Sequence, residues 1–155
     1  MNRRIAAVLL AVLAVFTLAP AASAQSTPTL SDIRTGRHAD FDRVVLDMSG
    51  QPAEHRVMVR PDVSHCASGE PIPVKGNQVL LTVLIGAAAH DENGNPTYTG
   101  PRLFETPGLA NVRGVAITCD WEGTLDVAVG YDDTYSWHRV FTLTNPDRVV
   151  IDIGH

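Results

Sequence analysis

Phe141-Thr142-Leu143-Thr144-Asn145-Pro146-Asp147-Arg148-Val149-Val150-Ile151-Asp152-Ile153 reads as the end of one strand, a turn and a second strand. The Asn-Pro-Asp step is turn chemistry: proline fixes φ, and asparagine and aspartate bond their own backbone. The first strand begins at Trp137 and ends at Leu143; the second runs from Arg148 to Ile153. Its β-branched run suits a strand buried on both faces. About a hundred residues earlier the same pattern occurs. Asp42-Arg43-Val44-Val45-Leu46-Asp47-Met48 matches Asp147 to Ile153 in residue type at every position. These two strands are the frame around which the rest of the chain is placed.

Working outward, short strand patterns alternate with turn signals. A first strand is expected near Ser31–Arg34, a second over Phe41–Met48 and a third over Glu54–Arg60, where Val57 and Val59 share a face. Residues Asp62 to Gly76 are rich in glycine and proline. Val79–Ile85 is the most apolar stretch after the N-terminal region and reads as a central strand. Gly86 to Asn111 is a long irregular segment, a length that in compact domains often carries function. Val112–Thr118 and Thr124–Val129 are strands joined by Asp120-Trp121-Glu122-Gly123. No amphipathic helical pattern exceeds a turn or two. The expectation is all-β: a small sandwich of two sheets with about seven or eight strands.

The N-terminus carries an export signal. Arg3 and Arg4 precede an uncharged apolar run, Ile5 to Leu18. Pro20 breaks it, and Ala22-Ser23-Ala24 fits a small-x-small cleavage site. The run falls short of the roughly 20 residues of a spanning helix, so no membrane span is expected after cleavage. The organisation expected is a signal peptide over 1–24, a flexible leader over 25–29 and one domain over 30–155. Losing Arg3 and Arg4 leaves ten basic residues against seventeen acidic ones, a formal charge of −7. Such a chain is a poor partner for nucleic acid or anionic lipid. Cys66 and Cys119 are the only cysteines. In an exported chain the pair is expected as one disulfide.

The closing motif resembles that of AMIN domains: a strand, a turn with proline, then arginine, three aliphatics and aspartate. The wider chain is similar to the actinobacterial AMIN-like domain proteins. The similarity lies in Arg34-Thr35-Gly36-Arg37-His38, Phe41 to Asp47, Ala87-Ala88-Ala89-His90-Asp91, Tyr98-Thr99-Gly100-Pro101 and Glu122-Gly123. It covers about Ile33 to Ile153. AMIN domains are non-catalytic envelope modules, sandwiches of two small sheets, found beside cell-wall amidase domains and in secretin-type proteins. The resemblance implies a secreted or envelope-located binding module, with cell-wall glycan or peptide as ligand. It also implies a module standing alone, since no catalytic or secretin region follows. A protein–protein interaction module of the envelope and a small secreted hydrolase are the alternative readings.

Candidate site residues follow from residue chemistry. Arg43 and Arg148 each stand four positions before an aspartate, on the same strand face and about 13 Å from it. They are therefore expected to pair across strands or to hold a ligand carboxylate, which guanidinium binds in two-point fashion. His90 beside Asp91 is a candidate general base or metal ligand, although no second histidine or cysteine stands at a useful spacing, and no metal is expected. Asp91-Glu92-Asn93-Gly94-Asn95 resembles the start of a calcium loop but lacks its later ligands, and equally reads as an Asx-rich turn. Tyr98, Tyr131 and Tyr135 are candidate stacking residues for a sugar ring, whereas Trp121 and Trp137 are expected in core packing or at the rim. No catalytic motif and no cofactor motif is present, so neither catalysis nor a cofactor is expected.

Overall fold

A computed structural model describes residues 26–155. The export signal expected over 1–24 lies outside the described residues. Eleven strands follow in order: β1 (Leu30–Arg37), β2 (Phe41–Met48), β3 (Glu54–Arg60), β4 (Val63–Ser64), β5 (Pro71–Ile72), β6 (Gln78–Ile85), β7 (Leu103–Glu105), β8 (Val112–Trp121), β9 (Thr124–Tyr131), β10 (His138–Leu143) and β11 (Arg148–Gly154). They form a four-stranded sheet ordered β1-β2-β11-β10, a five-stranded sheet ordered β3-β6-β9-β8-β7, and the small pair β4-β5. The all-β sandwich is thus as the sequence pattern implies, with every longer strand present. The strands beyond the expected seven or eight are β4, β5 and β7, two or three residues each. Such lengths are too short to show a period of two.

The repeated strands, β2 and β11, are antiparallel neighbours at the centre of the four-stranded sheet. Val45 lies opposite Val150, Arg43 opposite Asp152, and Arg148 opposite Asp47. Val44, Leu46, Val149 and Ile151 point inward and are fully buried. They pack on Leu80, Leu84, Leu125, Val127 and Val129 of the other sheet in one aliphatic core. Each such side chain contributes about 1.5–3 kcal/mol on burial. The β8–β9 hairpin turns through Glu122 (φ 48°) and Gly123 (φ 71°), the double positive φ that a two-residue turn needs to match strand twist.

The outer face of the five-stranded sheet is covered by residues 61–76. Val63 and Ile72 of that strap, with Val74 beside them, pack on Val79, Leu81, Ala116 and Ala128 as a second, smaller core. This explains why β6 is apolar on both faces. Cys66 and Cys119 form the disulfide that ties the strap to β8. Close passage of the strap requires Gly130, where a Cβ would fall on the Lys75 carbonyl oxygen. At the chain's beginning, Pro28 and Thr29 are not loose. The Ala88 N–H donates to Pro28 O at 3.0 Å and the Ser49 N–H to Thr29 O at 2.8 Å.

Candidate functional site

Register defines what the outer face of the four-stranded sheet displays. Along β2 the outward positions are Phe41, Arg43, Val45 and Asp47; along β11 they are Arg148, Val150, Asp152 and Gly154. On β10, Arg139 lies opposite Asp152 and Phe141 opposite Val150. Asp152 is therefore flanked by two guanidinium groups. Arg43 donates Nε and one Nη to it at 2.7 and 2.9 Å, and Arg139 donates one Nη at 2.9 Å. Aromatic rings brace the arginines. Arg43 lies 5.0 Å from the Phe41 ring and 5.7 Å from the Phe141 ring, and Arg139 lies 4.7 Å from Phe141. His38 stacks on Phe41 at 4.4 Å. Under this cover the Asp152 carboxylate has no exposed surface. Burial pushes its pKa up, but the hydrogen bonds from Arg43 and Arg139 win, and it lies below the ordinary carboxylate range.

The two repeats differ in how their charges are used. Arg148 does not mirror Arg43. Its Nε donates to Pro146 O at 3.1 Å, while Asp47 accepts two bonds from Arg34, at 2.5 and 2.7 Å. Those bonds, against the opposing effect of burial, hold Asp47 below the usual carboxylate value.

Trp137 precedes β10 and lies over Gly154; a Cβ at that glycine would run into the indole. Phe41 is tilted against it at 6.0 Å. The indole is thus fixed, yet it is 51% exposed. Arg139, two residues on, is 60% exposed and uses one N–H on Asp152, with no other hydrogen-bonding partner among the described residues. The guanidinium leans over Phe141, and the indole stands two residues before it in the chain; a pinned aromatic plane and free guanidinium donors on one face suit a ring that carries a carboxylate.

The other end of the sandwich carries a cleft of about 500 Å³. Its lining includes Thr27, Ser49, His90, Asp91, Glu92 and Asn93. His90 Nδ1 lies 3.0 Å from Asp120 Oδ1, which also accepts the Ala89 N–H at 2.9 Å. Arg102 approaches the other Asp120 oxygen at 3.4 Å. Burial raises the Asp120 pKa, but the Ala89, His90 and Arg102 contacts outweigh it and hold the carboxylate low. Among the described residues no serine, threonine or cysteine is hydrogen-bonded to His90. A neighbouring hollow of about 340 Å³ shares His90 and is bordered by Trp121 and Glu122. Trp121, the last residue of β8, is 65% exposed. Asp91 closes its own loop, accepting the Asn93 and Asn95 N–H groups at 2.9 and 2.8 Å, the turn chemistry of an aspartate.

The residues expected to form a site are therefore dispersed. Arg43 and Arg148 lie on the sheet face; His90 and Asp91 lie at the cleft. Tyr98 and Tyr131 are core residues. Tyr98 donates to Pro101 O and Tyr131 to Gln78 Oε1, each at 3.1 Å, and neither ring offers a face to a ligand. Burial raises the pKa of both phenols. Tyr131 ends β9 with its side chain inward, because alternation along Leu125, Val127 and Val129 carries it there. Tyr135 is 96% exposed. The tryptophans, expected in the core or at the rim, both stand at the surface, and Tyr131 fills the core. The segment 86–111 spans the molecule, starting at the cleft and ending at Asn111, which holds the 132–136 loop. Asn111 Oδ1 accepts the Asp132 and Asp133 N–H groups at 3.0 and 2.8 Å. The start of that segment, at the cleft, thus lies far from the 132–136 loop, whereas its later part meets the loop: Glu105 and Pro107 line a hollow of about 370 Å³ together with Asp132. Arg139 and Asp120 are the residues that sequence pattern passed over. The repeat marks Asp152, but only register shows that Arg139 meets it.

A model of the AMIN-like domain family matches residues 28–155, nearly all of the described chain. Among curated proteins and solved structures, nothing matches the chain.

Proposed function

The chain belongs to the AMIN-like domain family, and from that premise we propose that it is a non-catalytic binding module of the cell envelope that holds a cell-wall component. The contact surface is the outer face of the four-stranded sheet. The observation that supports this is the Trp137 indole pinned over Gly154, two residues before Arg139 with its free donors. Stacking binds the apolar face of a sugar ring, and the guanidinium binds a carboxylate on the same unit or on a peptide attached to it. Arg43 contributes indirectly: by satisfying Asp152 it leaves most of Arg139 free. The exported location that the N-terminal sequence implies places the module where such a polymer occurs.

Co-sedimentation with purified cell wall tests the reading. The protein is expected in the pellet, with Trp137→Ala and Arg139→Ala each lowering the bound fraction by about five- to ten-fold at sub-saturating wall, a loss of about 1–1.4 kcal/mol. Protein that stays in the supernatant across pH and salt, or cross-links to a defined envelope protein through this face instead, rejects it.

A further inference from the structure

The cleft at the opposite end has a separate use. We infer that it binds a neutral saccharide chain, with one pyranose ring in the cleft and a neighbouring ring over Trp121. This site does not depend on the sheet-face reading. Its volume, about 500 Å³, lies within the roughly 300–1,000 Å³ range of small-molecule sites. The lining supplies hydroxyls (Thr27, Ser49), an amide (Asn93), an imidazole (His90) and a carboxylate (Glu92). Donors and acceptors of both senses suit a ligand with many hydroxyl groups.

Position matters as much as composition. His90 is held on Asp120 through Nδ1, so Nε2 is left for hydrogen bonding at a set orientation, and little rotamer freedom is lost on binding. The same residue borders the second hollow, whose other wall is the exposed Trp121 indole. A hydrogen-bonding cleft joined through one shared side chain to an aromatic plane is a two-ring arrangement. An anionic sugar is disfavoured here. Asp91, Glu92 and Glu122 line the two hollows, and Arg102, which approaches Asp120 through one N–H at 3.4 Å, lines neither of them. The two ends of the sandwich therefore differ in charge preference: carboxylate-bearing units at Trp137, neutral rings at Trp121.

The two tryptophans make the test direct. In a Trp137→Phe background of the full chain, emission reports Trp121 alone. Titration with three neutral tetrasaccharides (chitotetraose, cellotetraose and maltotetraose) is expected to give a saturable emission change with at least one. The same sugar as a monosaccharide is expected to bind at least about ten-fold more weakly. By titration calorimetry, His90→Ala and Trp121→Ala should each weaken tetrasaccharide binding by about ten-fold or more, and Arg60→Ala, at an exposed position of β3 that lines neither hollow, should leave it unchanged. Absence of saturable binding to all three sugars, or binding indifferent to His90→Ala and Trp121→Ala, overturns the inference. A protein that sediments with cell wall but ignores the tetrasaccharides overturns this site alone. One that binds them through His90 and Trp121 but does not sediment overturns the sheet-face reading alone.

Discussion

Asp152 shows how one residue's environment governs a whole face. It is fully buried on the outward side of its sheet and is kept ionised by Arg43 and Arg139. Because its folded pKa lies below that of an unfolded aspartate, near 3.9, it stabilises the fold fully above that value. The contribution is lost as pH falls through the folded pKa. Asp47 adds to the same acid limb through Arg34. Arg43→Gln removes two charge-assisted hydrogen bonds and should cost about 2 kcal/mol at pH 6. Urea unfolding from pH 6 to pH 2 is the check. The wild type should lose stability below about pH 4, and the variant should start lower and fall less steeply. Equal stability of the two proteins at pH 6 would reject the central role given to this pair. The residue scale also explains the misplaced tyrosine. The loop-like run Gly130-Tyr131-Asp132-Asp133 contains, in Tyr131, the last residue of the strand's inward alternation. Polar neighbours in sequence say nothing about which way it points.

At the scale of elements, the strap over residues 61–76 is what turns a one-sided sheet into a two-sided one. It covers Val79, Leu81, Ala116 and Ala128, which would otherwise be an exposed apolar patch on the outer face. Its passage depends on the absence of a side chain at Gly130. Gly130→Ala puts a methyl group onto backbone that cannot swing aside, and a loss of about 2–3 kcal/mol is expected. Gly108, which has nothing near its would-be Cβ, is the control, and its alanine variant should unfold close to the wild type. Equal thermal midpoints for the Gly130 and Gly108 variants would show that the strap yields. Turn-rich composition marks residues 62–76 as irregular. It does not show that the segment lies flat on a sheet, because Val63, Ile72 and Val74 are too sparse to form a pattern.

Across the whole molecule, the disulfide joins the strap to β8 over a separation of 53 residues. On the chain-entropy model its loss should cost about 4 kcal/mol. Reduction is therefore expected to lower the thermal midpoint and to loosen the strap first, which hydrogen exchange at residues 63–74 would show. An unchanged midpoint after complete reduction would assign the stability to the two cores alone. The same scale separates the two surfaces, since register places the cleft at the β8–β9 turn and the Trp137 platform on the opposite sheet. Much of this was legible in residue order. Period-two alternation, the repeated Arg-Val-Val-aliphatic-Asp strands and turn chemistry identified every long strand and the all-β class. Two cysteines behind an N-terminal export pattern indicated the bridge. What sequence left open is what long-range pairing decides: that β2 and β11 are neighbours, that Arg139 joins Arg43 on Asp152, and that Asp120 reaches His90 from 30 residues away. Alternation is a local property, readable one strand at a time. A site is assembled from side chains distant in sequence, and their meeting depends on strand order, which no single strand encodes.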